Sequence, residues 1–263
     1  MSIQLFTLVP QSNLHAGAGS STYGVIDNLV QRDATDQYPA VFASSLKGAF
    51  REHYEEVSKK PKAETEAIFG GTDKKGGYVF SDAHLLALPV RSNQRPYFMA
   101  TCPYLLQKFL DVVTKDFGFT NNDKVKALQT EIGLIKSNVQ TYPEIIGQQI
   151  ANLKIEDFED VRNEVVNVSE LRKLLGSDIV ILSDDDMKYQ CSDYALPVLA
   201  RNCLDNGQST NLWYEQVIPR KTAFYFLAEN LTAGNNTFGV TDNLVQIGGN
   251  ATVGYGRCAI KSL

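Results

Sequence analysis

Four of the chain's 19 glycines, Gly248, Gly249, Gly254 and Gly256, crowd the stretch Ile247-Gly248-Gly249-Asn250-Ala251-Thr252-Val253-Gly254-Tyr255-Gly256-Arg257. Glycine reaches positive φ freely and has no Cβ, so such a segment can lie against another chain or present its amides to a phosphate. A nucleic-acid backbone suits that surface. The pattern G-x-G-x-x-A occurs here at Gly254, Gly256 and Ala259, but a dinucleotide fold surrounds it with a βαβ unit of about 30 residues. Only four residues follow Ala259. The segment therefore reads as a glycine loop running into a strand from Arg257 to Ile260.

The chain has 263 residues, enough for one elaborated domain, and we take residues 1–263 as one unit. No apolar run approaches the ~20 residues that span a bilayer, so no membrane partner is expected. The opening MSIQLFTLVP lacks a charged n-region and reads as a strand, which makes cytoplasmic residence the expectation. Four cysteines without C-x-x-C spacing and three histidines without H-E-x-x-H argue against structural zinc or a disulfide framework.

A net charge of −5 argues against phosphate binding at first sight. The distribution changes that. Residues 111–190 carry 9 basic and 15 acidic side chains, a net −6, which leaves +1 for everything else. A basic stripe is compatible with that remainder.

Along the chain, residues 3–9 read as a strand and Ser12–Gly24 as an irregular, functional loop. Leu46, Phe50, Tyr54 and Val57 form one helical stripe, with Ser44 and Ser45 expected to cap it and Lys47 and Arg51 on the neighbouring face. A helix start with a cationic turn is an anion site. Val79–Val90 reads as one or two strands, followed by Arg91 and Arg95 with no acid nearby. Pro103 opens a second helix. Residues 118–178 are polar, acidic and weakly helical and read as an insertion closing at Gly176. Val180–Leu182 reads as a buried strand. Asp205-Asn206-Gly207 between apolar runs signals a hairpin, and Thr222–Ala228 a core strand. The order suggests an α+β fold with helices on one sheet face, as in ferredoxin-like (RRM-like) folds.

Asp27 lies in a loop, where aspartate commonly makes an Asx-turn. His15 is either a general base, a phosphate contact or a hydrogen-bonded structural residue. Asp184-Asp185-Asp186 reads as a solvated turn or helix cap, because consecutive carboxylates point apart. Lys59, Lys60 and Lys62 read as a solvated helix end. Tyr214 is either a base-stacking residue or part of the core.

With these elements placed, the chain closely resembles the RAMP superfamily, and within it the Cmr-type backbone subunit of type III-B CRISPR effector complexes. The resemblance rests on Leu14-His15-Ala16-Gly17-Ala18-Gly19, Gly24-Val25-Ile26-Asp27 with Gln31-Arg32, and Ser44-Ser45-Leu46-Lys47-Gly48-Ala49-Phe50-Arg51. It continues through Phe98–Pro103, Ser183-Asp184, Leu212-Trp213-Tyr214-Glu215 and the glycine loop. It implies several copies along a guide RNA, other subunits of the complex, and a thumb hairpin at about 183–212 that wedges between bases. It further implies that Asp27 cuts the paired target RNA with a divalent metal, Mg2+. It implies a helix grip by Ser44, Ser45, Lys47 and Arg51 and contacts from the glycine loop, and with the reading of the residues the expected RNA contacts are His15, Gly17, Gly19, Ser44, Ser45, Lys47, Arg51, Arg91, Arg201, Tyr214, Gly248, Gly254 and Gly256. A scaffold without catalysis and a metal-independent ribonuclease using His15 are the alternatives. The family often carries two acids after the tyrosine, where this chain has Glu215-Gln216.

Overall fold

A computed structural model describes residues 2–20, 24–120, 122–135, 142–164, 166–232, 237–240 and 244–263. Residues 21–23 of the expected first loop and parts of the expected insertion lie outside the described residues. The architecture is α+β. Ser2–Pro10 lies inside an 11-stranded mixed sheet, antiparallel to Ala223–Asn230 on one side and to Arg257–Ser262 on the other. Ala223–Asn230 pairs in turn with Ala83–Val90. Numbered by chain order, these four strands lie side by side as 4-1-3-2. Leu244–Gln246 extends one edge, and Phe98–Thr101, Ile179–Ile181, Glu144–Ile146 and Arg162–Glu164 extend the other.

Successive side chains of a strand point to opposite faces, and here both faces are buried. Phe226 packs on Phe50 of the helix Ala43–Glu52, with ring centroids 5.5 Å apart. Its neighbour Tyr225 points the other way and meets Phe109 of the helix Pro103–Asp111 edge-on at 4.9 Å. The expected single helical layer is therefore corrected: helices cover both faces. The apolar run of Ala223–Asn230 explains why, since a strand without polar alternation must bury both its sides.

Within the first layer Phe50, Phe80, Phe226 and Phe238 form one aromatic cluster. The predicted stripe holds for Leu46, Phe50 and Tyr54, but Val57 ends the following π-helical turn and is exposed. The second layer is completed from within residues 118–178. Asp123–Leu134 supplies Val125, Leu128 and Ile132, and Ser169–Leu175 supplies Leu171 and Leu175. The buried carboxylate of Glu131 accepts from the Ser169 hydroxyl and from the Glu170 and Leu171 amides, satisfying the otherwise unpaired start of that second helix.

The Asn-Gly signal is realised as a hairpin of Val198–Asp205 and Gln208–Gln216, with φ of 50° at Asn206 and 79° at Gly207. Two positive φ values match the right-handed strand twist. The hairpin joins Asn28–Val30 and Gly17–Ser20 in a separate four-stranded sheet. Its outer half carries exposed Leu204 and Leu212.

Candidate nucleic-acid interface

Three segments meet through Gln31, which is buried. Its amide nitrogen donates to the Gly17 carbonyl at 3.1 Å and to Ser45 Oγ at 3.0 Å, while its oxygen accepts the Phe42 amide at 2.8 Å. The first loop is thereby tied to the start of the helix Ala43–Glu52. The predicted serine cap is corrected: Phe42 occupies the N-cap, and Ser44 and Ser45 stand inside the first turn. Caps arrive from afar, because Asp82 Oδ1 accepts the Ala43 amide at 2.7 Å. Gln31 and Asp82 were missed in the sequence, where nothing marks a cap that comes from another segment.

The glycine loop closes on the first loop. Gly249 donates to the His15 carbonyl at 2.9 Å and Gly256 to the Asn13 carbonyl at 2.8 Å. A Cβ at Gly248 would sit 2.3 Å from the His15 oxygen, and one at Gly256 would sit 2.1 Å from the Ile247 oxygen. These two glycines are required by their own chain. By contrast Gly19 and Gly254, at φ of 99° and 86°, have no atom within 4 Å of the Cβ position and face open space.

Between the two loops lies a buried polar cluster. His15 Nδ1 donates to the Gln216 carbonyl at 2.7 Å, which fixes the tautomer and turns Nε2 toward Glu215 Oε1 at 3.7 Å. Glu215 also accepts from Asn250 Nδ2 at 2.8 Å and faces Arg201 at 3.5 Å. The Arg201 guanidinium lies 6.0 Å from the Trp213 ring centroid and 5.7 Å from that of Tyr255. His15 and Arg201 are thus engaged inside the protein. Gln216, at the position of the second acid, is fully buried; it accepts the Val30 amide at 3.3 Å and donates to Asp193 at 3.2 Å.

Asp27 stands at the seam between first loop and hairpin. Its amide donates to the Tyr214 carbonyl at 3.1 Å, and its Oδ2 accepts the Tyr214 amide at 2.7 Å. Among the described residues Oδ1 has no partner. Beside it opens an apolar groove of about 790 Å3 lined by Val25, Ile26, Tyr194 and Tyr214. Val25 and Tyr194 are almost fully exposed, and Tyr214 is exposed over 39% of its surface, so it is not a core residue.

Two expected cations have partners. Arg51 is paired with Glu55 at 2.9 Å, one helical turn on, and Arg91 is held by Glu156 at 2.7 Å. The expectation that Arg91 has no acid nearby fails because the acid comes from 65 residues later in the chain. Lys47 is half-buried and, among the described residues, has no carboxylate partner. Lys59, Lys60 and Lys62 pair with glutamates of their own helical region. Asp184 Oδ1 accepts the Tyr104 amide at the start of the helix Pro103–Asp111, and Ser183 caps the helix Asp184–Gln190 by accepting the Asp186 amide while its hydroxyl donates to Asp186 Oδ2, so Asp184 and Asp186 serve helix starts. Among the described residues no three His, Cys, Asp or Glu side chains converge on a metal position. Among the described residues, the single free oxygen of Asp27 does not amount to a cation site.

A half-buried charge cluster steadies the turn after the first loop. Lys108 reaches Asp33 at 2.6 Å and Asp36 at 2.7 Å, and His84 lies 3.3 Å from Asp33. Burial raises the Asp33 pKa, but the Lys108 hydrogen bond, the Thr35 amide and the charges of Lys108 and His84 outweigh it and leave the carboxyl at about 2. Burial and Lys108 together hold His84 below the usual histidine range.

A loop-tied helix start, a glycine loop and a protruding hairpin on a 4-1-3-2 sheet define a RAMP architecture, and the RAMP superfamily model matches residues 7–259. The chain belongs to the RAMP superfamily. It is 28% identical over 284 residues to the CRISPR system Cmr endoribonuclease Cmr4 of Pyrococcus furiosus, covering 97% of this chain and 92% of that one. Its fold is similar to a chain of the type III-B Cmr-beta bound to cognate target RNA, with TM-score 0.77, 19% identity and coverage of 100% and 97%. It is likewise similar to oligomeric Cmr4 from Pyrococcus furiosus, with TM-score 0.70, 20% identity and coverage of 100% and 99%.

Proposed function

We propose that the chain is a guide-RNA-binding backbone subunit of a type III-B CRISPR RNA-targeting complex, repeated along the guide, in which Asp27 cuts the paired target RNA. Endoribonuclease and assembly roles come from the named relatives. The observation that carries the assignment of Asp27 is its placement: one oxygen fixed by the hairpin backbone, the other without a partner among the described residues, beside an open groove. The 4-1-3-2 order supports a ferredoxin-like core with the helix between its first two strands retained. The glycine loop lies between its last two strands.

The grip on RNA consists of Ser44, Ser45 and Lys47 at the helix start, with Gly17, Gly19 and Gly254 nearby in the loops. Such contacts position the strand without reading its sequence. Gly248 and Gly256 shape the loop from inside. The hairpin around Asn206-Gly207 is the thumb. A divalent cation such as Mg2+ would find a single ligand here, and we route no step through it. His15 is a poor general base in this setting, since it is buried and its Nε2 faces Glu215.

Asp27→Asn in the assembled complex tests the reading. Guide binding and target capture are expected to persist while cleavage of labelled target RNA falls about 100- to 1,000-fold, the usual cost of removing one charge-stabilising group. Cleavage with Mg2+ and with chelator in parallel tests the metal. An unchanged rate with unchanged fragment spacing would make Asp27 a turn residue and the subunit a scaffold.

A further inference from the structure

Among the described residues, the helices on the second face of the 4-1-3-2 sheet leave a cleft over its edge. Where Val9 pairs with Ala259 and Thr7 with Lys261, the surface opens into a cleft of about 580 Å3 walled by Asp123–Leu134 and Ser169–Leu175. Four lysines line it: Lys124 and Lys173 on the walls, Lys221 and Lys261 on the sheet side. One acidic side chain, Glu170, lines it and is bonded to Lys173, and Leu263 brings its main-chain carboxylate to the rim.

Lysines elsewhere in the chain are divided: Lys47, Lys74, Lys75 and Lys188 have no acidic partner among the described residues and line other surfaces. Lys59, Lys60, Lys62, Lys108, Lys115, Lys126 and Lys154 all have acidic partners. Among the described residues Lys124, Lys221 and Lys261 have none. Lys221 donates to the neutral amide of Gln11 at 2.7 Å, which orients its ammonium without neutralising it. Three such cations around a small apolar floor create a positive field in a protein of net charge −5.

We infer that this cleft is a second phosphate-binding surface, which takes the backbone of an RNA strand. Continuity favours RNA over an acidic protein. Gln11 donates its amide to the Arg257 carbonyl at 2.7 Å, and Arg257 donates its own to Ser12 Oγ at 3.2 Å, so the cleft begins where the glycine loop ends. A strand leaving the interface over the glycine loop meets exposed Arg257 and then the lysines. The inference rests on the proposed RNA-binding role, and its test separates the two.

The test uses the full-length chain with the triple variant Lys124→Gln, Lys221→Gln, Lys261→Gln, and separately Lys47→Ala. Binding of a fluorescent single-stranded RNA is followed by anisotropy between 50 and 200 mM salt, with circular dichroism and thermal melting to check folding. Each phosphate contact on a single strand contributes about 0.7 to the slope of log K against log salt, so three lost contacts lower it by about 2. The expected result is that loss, with weaker affinity, in a folded triple variant. Unchanged affinity and slope would overturn the inference; if Lys47→Ala still weakens binding, the main interface stands without it, and if both variants bind normally, both readings fall. Polyglutamate is the second probe. Should the triple variant lose polyglutamate binding while binding RNA as before, the cleft serves an acidic protein and the inference is overturned.

Discussion

Gly254 and Gly256 have nearly the same backbone, with φ of 86° and 73°, and opposite surroundings. An alanine at 254 meets only the left-handed strain of about 1–2 kcal/mol, which in a chain of this size lowers Tm by about 2–8 °C. At 256 the same substitution also drives a methyl into the Ile247 carbonyl and breaks the bond between Ile247 and Gly256. Gly256→Ala is therefore expected to lower Tm by clearly more than Gly254→Ala in parallel thermal melts, and equal shifts would contradict the packing. The glycine cluster was legible in the sequence as a close contact. What it touches was not, because composition does not distinguish a loop folded on its own chain from one open to a ligand.

Among the elements, the clasp formed by Lys108 on its helix, His84 on its strand and the turn carrying Asp33 and Asp36 makes stability depend on pH. The folded state holds Asp33 at about 2, so its contribution is complete above the unfolded value of about 4 and is lost as pH falls toward 2. The depressed His84 acts in the same direction higher up, since the unfolded chain takes up its proton first below about 6.5. Melting temperature should therefore fall on acidification in two limbs. Lys108→Met should lower Tm at neutral pH and flatten the limb between about pH 4 and 2; an unaltered limb would show that the clasp contributes nothing there. The second helix, the hairpin and the core strands were readable from periodicity and from Asn206-Gly207. The clasp and the Arg91–Glu156 pair were not, because each joins side chains far apart in sequence, and the Gln31 tie was not, because it spans 11–14 residues, beyond the reach of helix and strand periodicity. Acidity made residues 118–178 look peripheral, although one apolar stripe on each of their helices completes the second core.

For the molecule as a whole, the protruding hairpin tip and the loop-lined interface are unlike surfaces, and such a pair is expected to associate head to tail and leave open ends. Electron microscopy of the chain with guide RNA is expected to show short open arrays, and only closed twofold dimers would count against this. The pairing of the sheet has a separate consequence. Both neighbours of Ser2–Pro10 lie more than 200 residues away, at Ala223–Asn230 and Arg257–Ser262. During synthesis at about 5–20 residues per second, the first strand emerges many seconds before anything it can pair with. Its Leu5, Phe6 and Leu8 stay uncovered on the ribosome until the far end of the chain follows, a delay that exposes the nascent protein to chaperones and to its own neighbours on a polysome.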